Sequence, residues 1–157
     1  MKLTSTAFAD GEPIPLQFTQ DGADVSPPLA WYEAPAGTRS YALIVDDPDA
    51  PDPDAPRKQP FVHWLLWDLP PELTAIPEAM TRLPPGAHAG ANDYDHASWD
   101  GPAPPVGKHR YRFHLYALDR ELHFESPPDR AQLEAAMRGH VLDEARLTGT
   151  YKRARPG

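Results

Sequence analysis

Tyr111-Arg112-Phe113-His114-Leu115-Tyr116-Ala117-Leu118 alternates with a period that suits a strand. A repeat of two puts Tyr111, Phe113, Leu115 and Ala117 on one face and Arg112, His114, Tyr116 and Leu118 on the other, the pattern of a half-buried strand. Tyr41-Ala42-Leu43-Ile44-Val45 is a short apolar run, partly β-branched, that stops at Asp46-Asp47-Pro48 and reads as a buried strand feeding a loop. Phe61 to Leu69 lies between Pro60 and Pro70, carries three aromatics and reads as a third strand. Shorter strand candidates occupy 16–19 and 149–152. One helix is expected over 130–138, where Ser126-Pro127-Pro128-Asp129 supplies a cap and N-terminal prolines and Gly139 closes the element. A second helical stretch is read over 140–146, because Val141, Leu142, Ala145 and Leu147 recur at roughly helical spacing. The expected architecture is a single, mainly β, antiparallel domain over 1–157 with one or two short C-terminal helices.

The 157 residues are 40% hydrophobic and include no run long enough to span a bilayer, so membrane insertion is not expected. The 21 prolines and 10 glycines together stay below the roughly 25–30% that marks low-complexity chains, and they predict a loop-rich fold. A formal charge of -8 argues against a protein that grips nucleic acid through counterion release. Cysteine is absent, which removes disulfides and thiolate chemistry and leaves histidine and carboxylates as the side chains available to a metal. The first residues lack the apolar core of a signal peptide, so the expected setting is cytoplasmic.

The internal repeat is short: Asp47-Pro48-Asp49-Ala50-Pro51 is followed at once by Asp52-Pro53-Asp54-Ala55-Pro56. Four closely spaced aspartates invite a calcium reading, but the central glycine and terminal glutamate of an EF-hand loop are missing. His63 lies near the start of a strand and by alternation shares a face with Leu65, Trp67 and Leu69; such a histidine is more often a satisfied core residue than a ligand. His109 follows the stiff loop Gly101-Pro102-Ala103-Pro104-Pro105-Val106-Gly107-Lys108 and shares its face with Tyr111. Two imidazoles, a phenol and loop amides are mostly donors, which suits a phosphate or carboxylate. Asp47 and Asp49 would then orient the histidines or accept from an ammonium, so a zwitterionic head group satisfies both charge signs. Hydrolase chemistry is the alternative, with His63 and His109 as acid and base, or with Ser98 near His96 and Asp100, although no G-x-S-x-G turn surrounds that serine.

The ordered set Val45-Asp46-Asp47-Pro48-Asp49-Ala50-Pro51, Phe61-Val62-His63-Trp64, Gly90-Ala91-Asn92-Asp93-Tyr94, Gly101-Pro102-Ala103-Pro104-Pro105 and His109-Arg110-Tyr111 resembles the phosphatidylethanolamine-binding protein family, most of all its bacterial branch related to Raf kinase inhibitor protein. The closing stretches Gly139-His140-Val141-Leu142 and Leu147-Thr148-Gly149-Thr150-Tyr151 are similar to that branch as well. The resemblance implies a β-sandwich-like single domain with a pocket for phosphate-type head groups, phosphoethanolamine included, built by Asp47, Asp49, His63, Gly101, Ala103, Pro104, His109 and Tyr111. It implies no essential metal and no cofactor, inhibition of kinases or serine proteases through surface contacts, and homodimers. Three features depart from the pattern: Ala103 stands where bacterial members commonly have Cys, the second Asp-Pro-Asp-Ala-Pro copy is insertion-like, and Lys108 in the short loop is expected to add a cationic rim.

Overall fold

The computed structural model describes residues 1–154. Ten strands and one helix follow in the order β1 (Lys2–Thr4), β2 (Leu29–Tyr32), β3 (Ser40–Asp47), β4 (Pro51–Asp52), β5 (Ala55–Pro56), β6 (Phe61–Leu69), β7 (Ala75–Ile76), β8 (His88–Ala89), β9 (Lys108–Leu118), α1 (Arg130–Met137) and β10 (Val141–Lys152). The strands form a five-stranded sheet ordered β10-β9-β3-β6-β8, a three-stranded sheet ordered β1-β2-β7, and the small hairpin β4-β5. All strand pairs are antiparallel. The fold is therefore mainly β, as the alternating segments imply.

The larger sheet is covered on both faces, which is why its central strand β3 is buried at every residue. On one face Leu43, Val45, Trp64, Leu66, Phe113 and Leu115 pack with Leu3, Leu29, Trp31 and Ile76 from the smaller sheet. On the other face Ala42, Ile44, Leu65 and Trp67 meet Leu122 and the helix residues Leu133 and Met137. Strand β9 is accordingly buried on both faces at several positions, with His114 and Leu118 covered as well as Phe113 and Leu115.

Two sequence expectations fail. Residues 140–146 are not a second helix: β10 pairs with β9 from Val141↔Leu118 to Lys152↔Lys108. The apparent helical period counted Val141 and Leu142, which are exposed, whereas Ala145 and Leu147 alternate into the core with a period of two. The unpaired edge of β9 supplies backbone partners over eleven residues, and this tertiary demand overrides a weak local pattern. Residues 16–18 form a 3-10 turn rather than a strand, closed by Phe18 N–H donating to the Pro15 carbonyl, with only Phe18 buried. The helix itself is capped as its sequence suggests: Asp129 accepts from Gln132 N–H while the Gln132 side chain accepts from Asp129 N–H.

Asp46 ties that helix to the sheet. Its fully buried carboxylate takes two hydrogen bonds from Arg112, at 2.8 and 3.0 Å, and one from Arg130 of α1 at 2.7 Å, with His114 Nε2 3.3 Å away. Burial alone pushes this carboxyl up, but the close approach of His114, the hydrogen bonds from Arg112 and the charge of Arg130 outweigh it and hold it well below the usual carboxylate range.

Candidate functional site

A cavity of about 450 Å³ opens at the end of the large sheet, where β3 finishes and β6 and β9 begin. Asp47 comes from the end of β3, Phe61 and His63 from β6, and Tyr111 from β9. Three connections complete the wall: Ala50, Pro51 and Arg57 around the β4-β5 hairpin, Asp93 and Tyr94, and the Ala103-Pro104-Pro105 run.

His63 reaches this cavity because β6 breaks its own alternation. Opposite β3, the pairing runs Val45↔Trp64 and then Asp46↔Val62, so β6 carries one extra residue, His63. A second bulge follows near Asp68, whose φ is 54°. Strict alternation would have put His63 with Leu65, Trp67 and Leu69. Instead its ring packs against Phe61 (5.1 Å between centroids) and Tyr111 (5.3 Å), while Leu65 and Trp67 face α1 and Leu69 faces the smaller sheet. His63 Nδ1–H donates to the Asp100 carbonyl at 2.6 Å, which leaves Nε2 as the ring nitrogen without a partner among the described residues. Burial lowers the His63 pKa, opposed by that hydrogen bond and by nearby aspartates, so the free protein carries a neutral ring at neutral pH.

Asn92 sets the loop that delivers Asp93, Tyr94 and Asp100. Its Nδ2 lies within 3.1 Å of the His63 carbonyl, the Ser98 carbonyl and Asp100 Oδ2, and its Oδ1 accepts from Tyr94 and His96 N–H. The Ser98-His96-Asp100 neighbourhood is thus a loop brace, with His96 Nδ1 2.7 Å from Asp100 Oδ2.

Tyr111 is 1% exposed and lines the cavity, yet its hydroxyl has no hydrogen-bond partner among the described residues. Burial, and then the charge of Asp47, drive its pKa far up, so the phenol stays an O–H donor. A second donor is the Ala103 amide, the one N–H in the Pro102–Ala103–Pro104–Pro105 run.

Of the eight residues expected at the site, Asp47, His63, Ala103, Pro104 and Tyr111 line the cavity and Asp49, Gly101 and His109 stand behind it. His109 is fully buried, with Nδ1 2.5 Å from Asp47 Oδ2 and Nε2 2.8 Å from the Val106 carbonyl. Both ring nitrogens are thus engaged within the protein, and neither is left for a ligand. Asp49 is taken by Arg110, accepting from its backbone N–H at 2.8 Å and from Nε and Nη2 at 3.0 and 2.9 Å; the Arg110 hydrogen bond holds its pKa low. Gly101 donates to Asp24 Oδ1 at 2.7 Å. Lys108, the first residue of β9, pairs across to Lys152 of β10 and is not among the residues that line the cavity. The cation there is Arg57, which no motif singled out; its one signal was its place directly after the second repeat copy.

A sheet covered on both faces, with a small polar-and-aromatic cavity where three of its strands begin or end, defines a ligand-sized cleft on a β-sandwich-like scaffold. The family described as phosphatidylethanolamine-binding protein matches residues 4–152, and this chain belongs to that family. It is 43% identical to a protein of Methanothermobacter thermautotrophicus named UPF0098 protein, over 98% of this chain and 99% of the relative. An Aquifex aeolicus protein of the same name is 38% identical over 98% of this chain and 89% of its own. The fold is similar to a crystal structure of a phosphatidylethanolamine-binding protein homolog, CT736 of Chlamydia trachomatis, with TM-score 0.89, 37% identity and coverage of 98% and 97% of the two chains. It is similar also to E. coli YbcL, described as a member of the mammalian PEBP family, with TM-score 0.87, 29% identity and 98% coverage of each chain.

Proposed function

We propose that this protein binds a small phosphate-type anion, or a zwitterionic head group such as phosphoethanolamine, in the cavity beside Tyr111, and that it acts by binding rather than by catalysis. The observation that carries this reading is the Tyr111 hydroxyl: a buried donor, held protonated beside the Asp47 carboxylate, that makes no hydrogen bond of good geometry among the described residues. An unmade hydrogen bond in a buried site costs roughly 1–3 kcal/mol, which a ligand oxygen recovers. Asp47 and Asp93 on the same wall supply acceptors for an ammonium. Hydrolysis has less support, because His109 has both nitrogens engaged and no activated nucleophile lines the cavity among the described residues. A regulatory role, in which a kinase or protease partner reads the occupied state, belongs to the same proposal.

Titration calorimetry with inorganic phosphate and phosphoethanolamine tests it. The wild type is expected to bind saturably, and Tyr111→Phe to bind roughly 10–100-fold more weakly, the scale of one hydrogen bond to a charged group. Thermal unfolding of the unliganded Tyr111→Phe protein should show little loss, since the hydroxyl gives up only a poorly aligned approach to the Asp47 carboxylate. Equal affinity in the two proteins would sink the reading.

The His63 pKa gives a pH signature. Burial depresses it, so in the absence of ligand the unfolded chain takes the proton first, and stability is lost as pH falls below about 6.5. A bound anion favours the imidazolium, so affinity should rise as pH falls through the same region, by at most about tenfold per pH unit. Sulfate, which stays doubly charged there, is the clean probe. A flat profile in the wild type, no steeper than that of His63→Gln, would rule out proton uptake at His63.

A further inference from the structure

We propose that Arg57, delivered by the second Asp-Pro-Asp-Ala-Pro copy, is the residue that selects doubly charged anions in this cavity, exchanging its contact with Asp93 for the ligand; the inference rests on the anion-binding reading above.

The two repeat copies fold alike locally and differ in what they carry. In the first, Asp49 N–H donates to Asp47 Oδ1 at 2.8 Å; in the second, Asp54 N–H donates to Asp52 Oδ1 at 2.9 Å. The first turn is buried against β9 and the second is exposed at the tip of the β4-β5 hairpin. That hairpin is not a loose flap. Its ladder pairs Pro51 with Pro56 and Asp52 with Ala55, and Arg57 N–H donates back to the Ala50 carbonyl at 2.7 Å. Its tip residue Pro53 lies against Gly107, where an added Cβ would come within 3.2 Å of Pro53 Cγ. The hairpin thus spans from the end of β3 to the loop before β9 and returns the chain to the cavity at Arg57.

Arg57 is the one lysine or arginine on the cavity wall among the described residues, and it shares that wall with the carboxylates Asp47 and Asp93. Its guanidinium sits 5.1 Å from the Phe61 ring centroid and makes a single contact with Asp93, Nη1 to Oδ2 at 3.2 Å. Four of its five N–H donors have no acceptor among the described residues. The pair is 41% and 37% exposed, so water screens it and it holds the arginine weakly. Asp93 has a second anchor, since the same Oδ2 accepts Val62 N–H at 2.7 Å, and it keeps its place when Arg57 turns away. A planar fork of free donors, stacked on an aromatic ring and loosely tethered beside the unpartnered Tyr111 hydroxyl, matches an anion presenting two charged oxygens. A phosphodiester offers less charge to the same fork.

Calorimetric titration with sulfate and with dimethyl phosphate, at one pH and ionic strength, on the wild type, Arg57→Gln, Arg57→Lys, Asp93→Asn and Tyr111→Phe tests this. Arg57→Gln is expected to weaken sulfate binding by about tenfold or more and dimethyl phosphate by less than about threefold, with Arg57→Lys between wild type and Gln. Asp93→Asn, which releases the guanidinium while keeping an oxygen for Val62 N–H, should tighten sulfate by a few-fold. Sulfate affinity unchanged in Arg57→Gln, or both ligands weakened alike, overturns the role of Arg57. If Tyr111→Phe loses binding in that same experiment, the anion site stands without it; if the wild type binds neither ligand, both readings fall.

Discussion

Asp46→Ala is expected to cost about 3 kcal/mol of folding stability, the lower end of the range for removing one partner of a buried charge cluster. The change leaves Arg112, Arg130 and His114 converging on an empty acceptor. Both arginine side chains remain about a fifth exposed, 22% and 23%, so water recovers part of the loss and the upper end is not reached. Urea unfolding measures it, and a loss under about 1 kcal/mol would show that the cluster does not hold α1 to the sheet. The pH dependence has a fixed sign. The folded-state pKa lies well below the unfolded value of about 3.9, so the stabilisation is complete above that value and is lost progressively as pH falls from it toward the depressed folded-state value. Asp46→Asn, with no carboxyl to protonate, should show a shallower acid limb below about pH 4.

Gly101→Ala is expected to destabilise by about 3 kcal/mol, at the top of the range for overpacking. A Cβ there would lie 2.1 Å from the Phe18 carbonyl oxygen and 2.7 Å from Asp24 Oδ1, and the first of these is backbone. Relief requires moving either the 3-10 turn or the loop that carries Asp100, whose carbonyl orients His63. The variant should therefore also weaken anion binding, although Gly101 itself stands behind the cavity. Near-wild-type thermal stability in Gly101→Ala would mean that this contact relaxes freely.

The existence and extent of the long strands were legible from apolar runs, alternation and flanking prolines. Phe61–Leu69 has the bounds its flanking prolines imply, and the alternation from Tyr111 to Leu118 lies inside β9. Residues 140–146 were illegible because a short segment can match both periods, and the choice between them depends on a neighbouring strand about thirty residues earlier. Within the site, the motifs led to Asp47, His63 and Tyr111, but residue type alone does not say which partner a side chain spends itself on. His109 looks as available as His63 until Asp47 and Val106 are seen to hold both its nitrogens. Arg57 was hidden for the opposite reason: nothing local marks an arginine after a turn as facing inward, and only the closed hairpin aims it. The bulge at His63 is likewise written in the pairing and not in the residues.

The seam between β3 and β9 governs how the cavity comes into being. Ser40 meets Leu118 and Asp46 meets Arg112 across this seam, partners separated by more than sixty residues, whereas β3 reaches β6 through one short hairpin and β9 reaches β10 through one helix. Contacts of such long range close late and slowly in folding, because loop entropy is spent before they return anything. Asp47, Arg57 and His63 lie on one side of the seam in sequence and Tyr111 on the other. A growing chain that has emerged only as far as residue 107 holds the carboxylate, the arginine and the imidazole but lacks the phenol, so the cavity wall is complete only once β9 has joined the sheet.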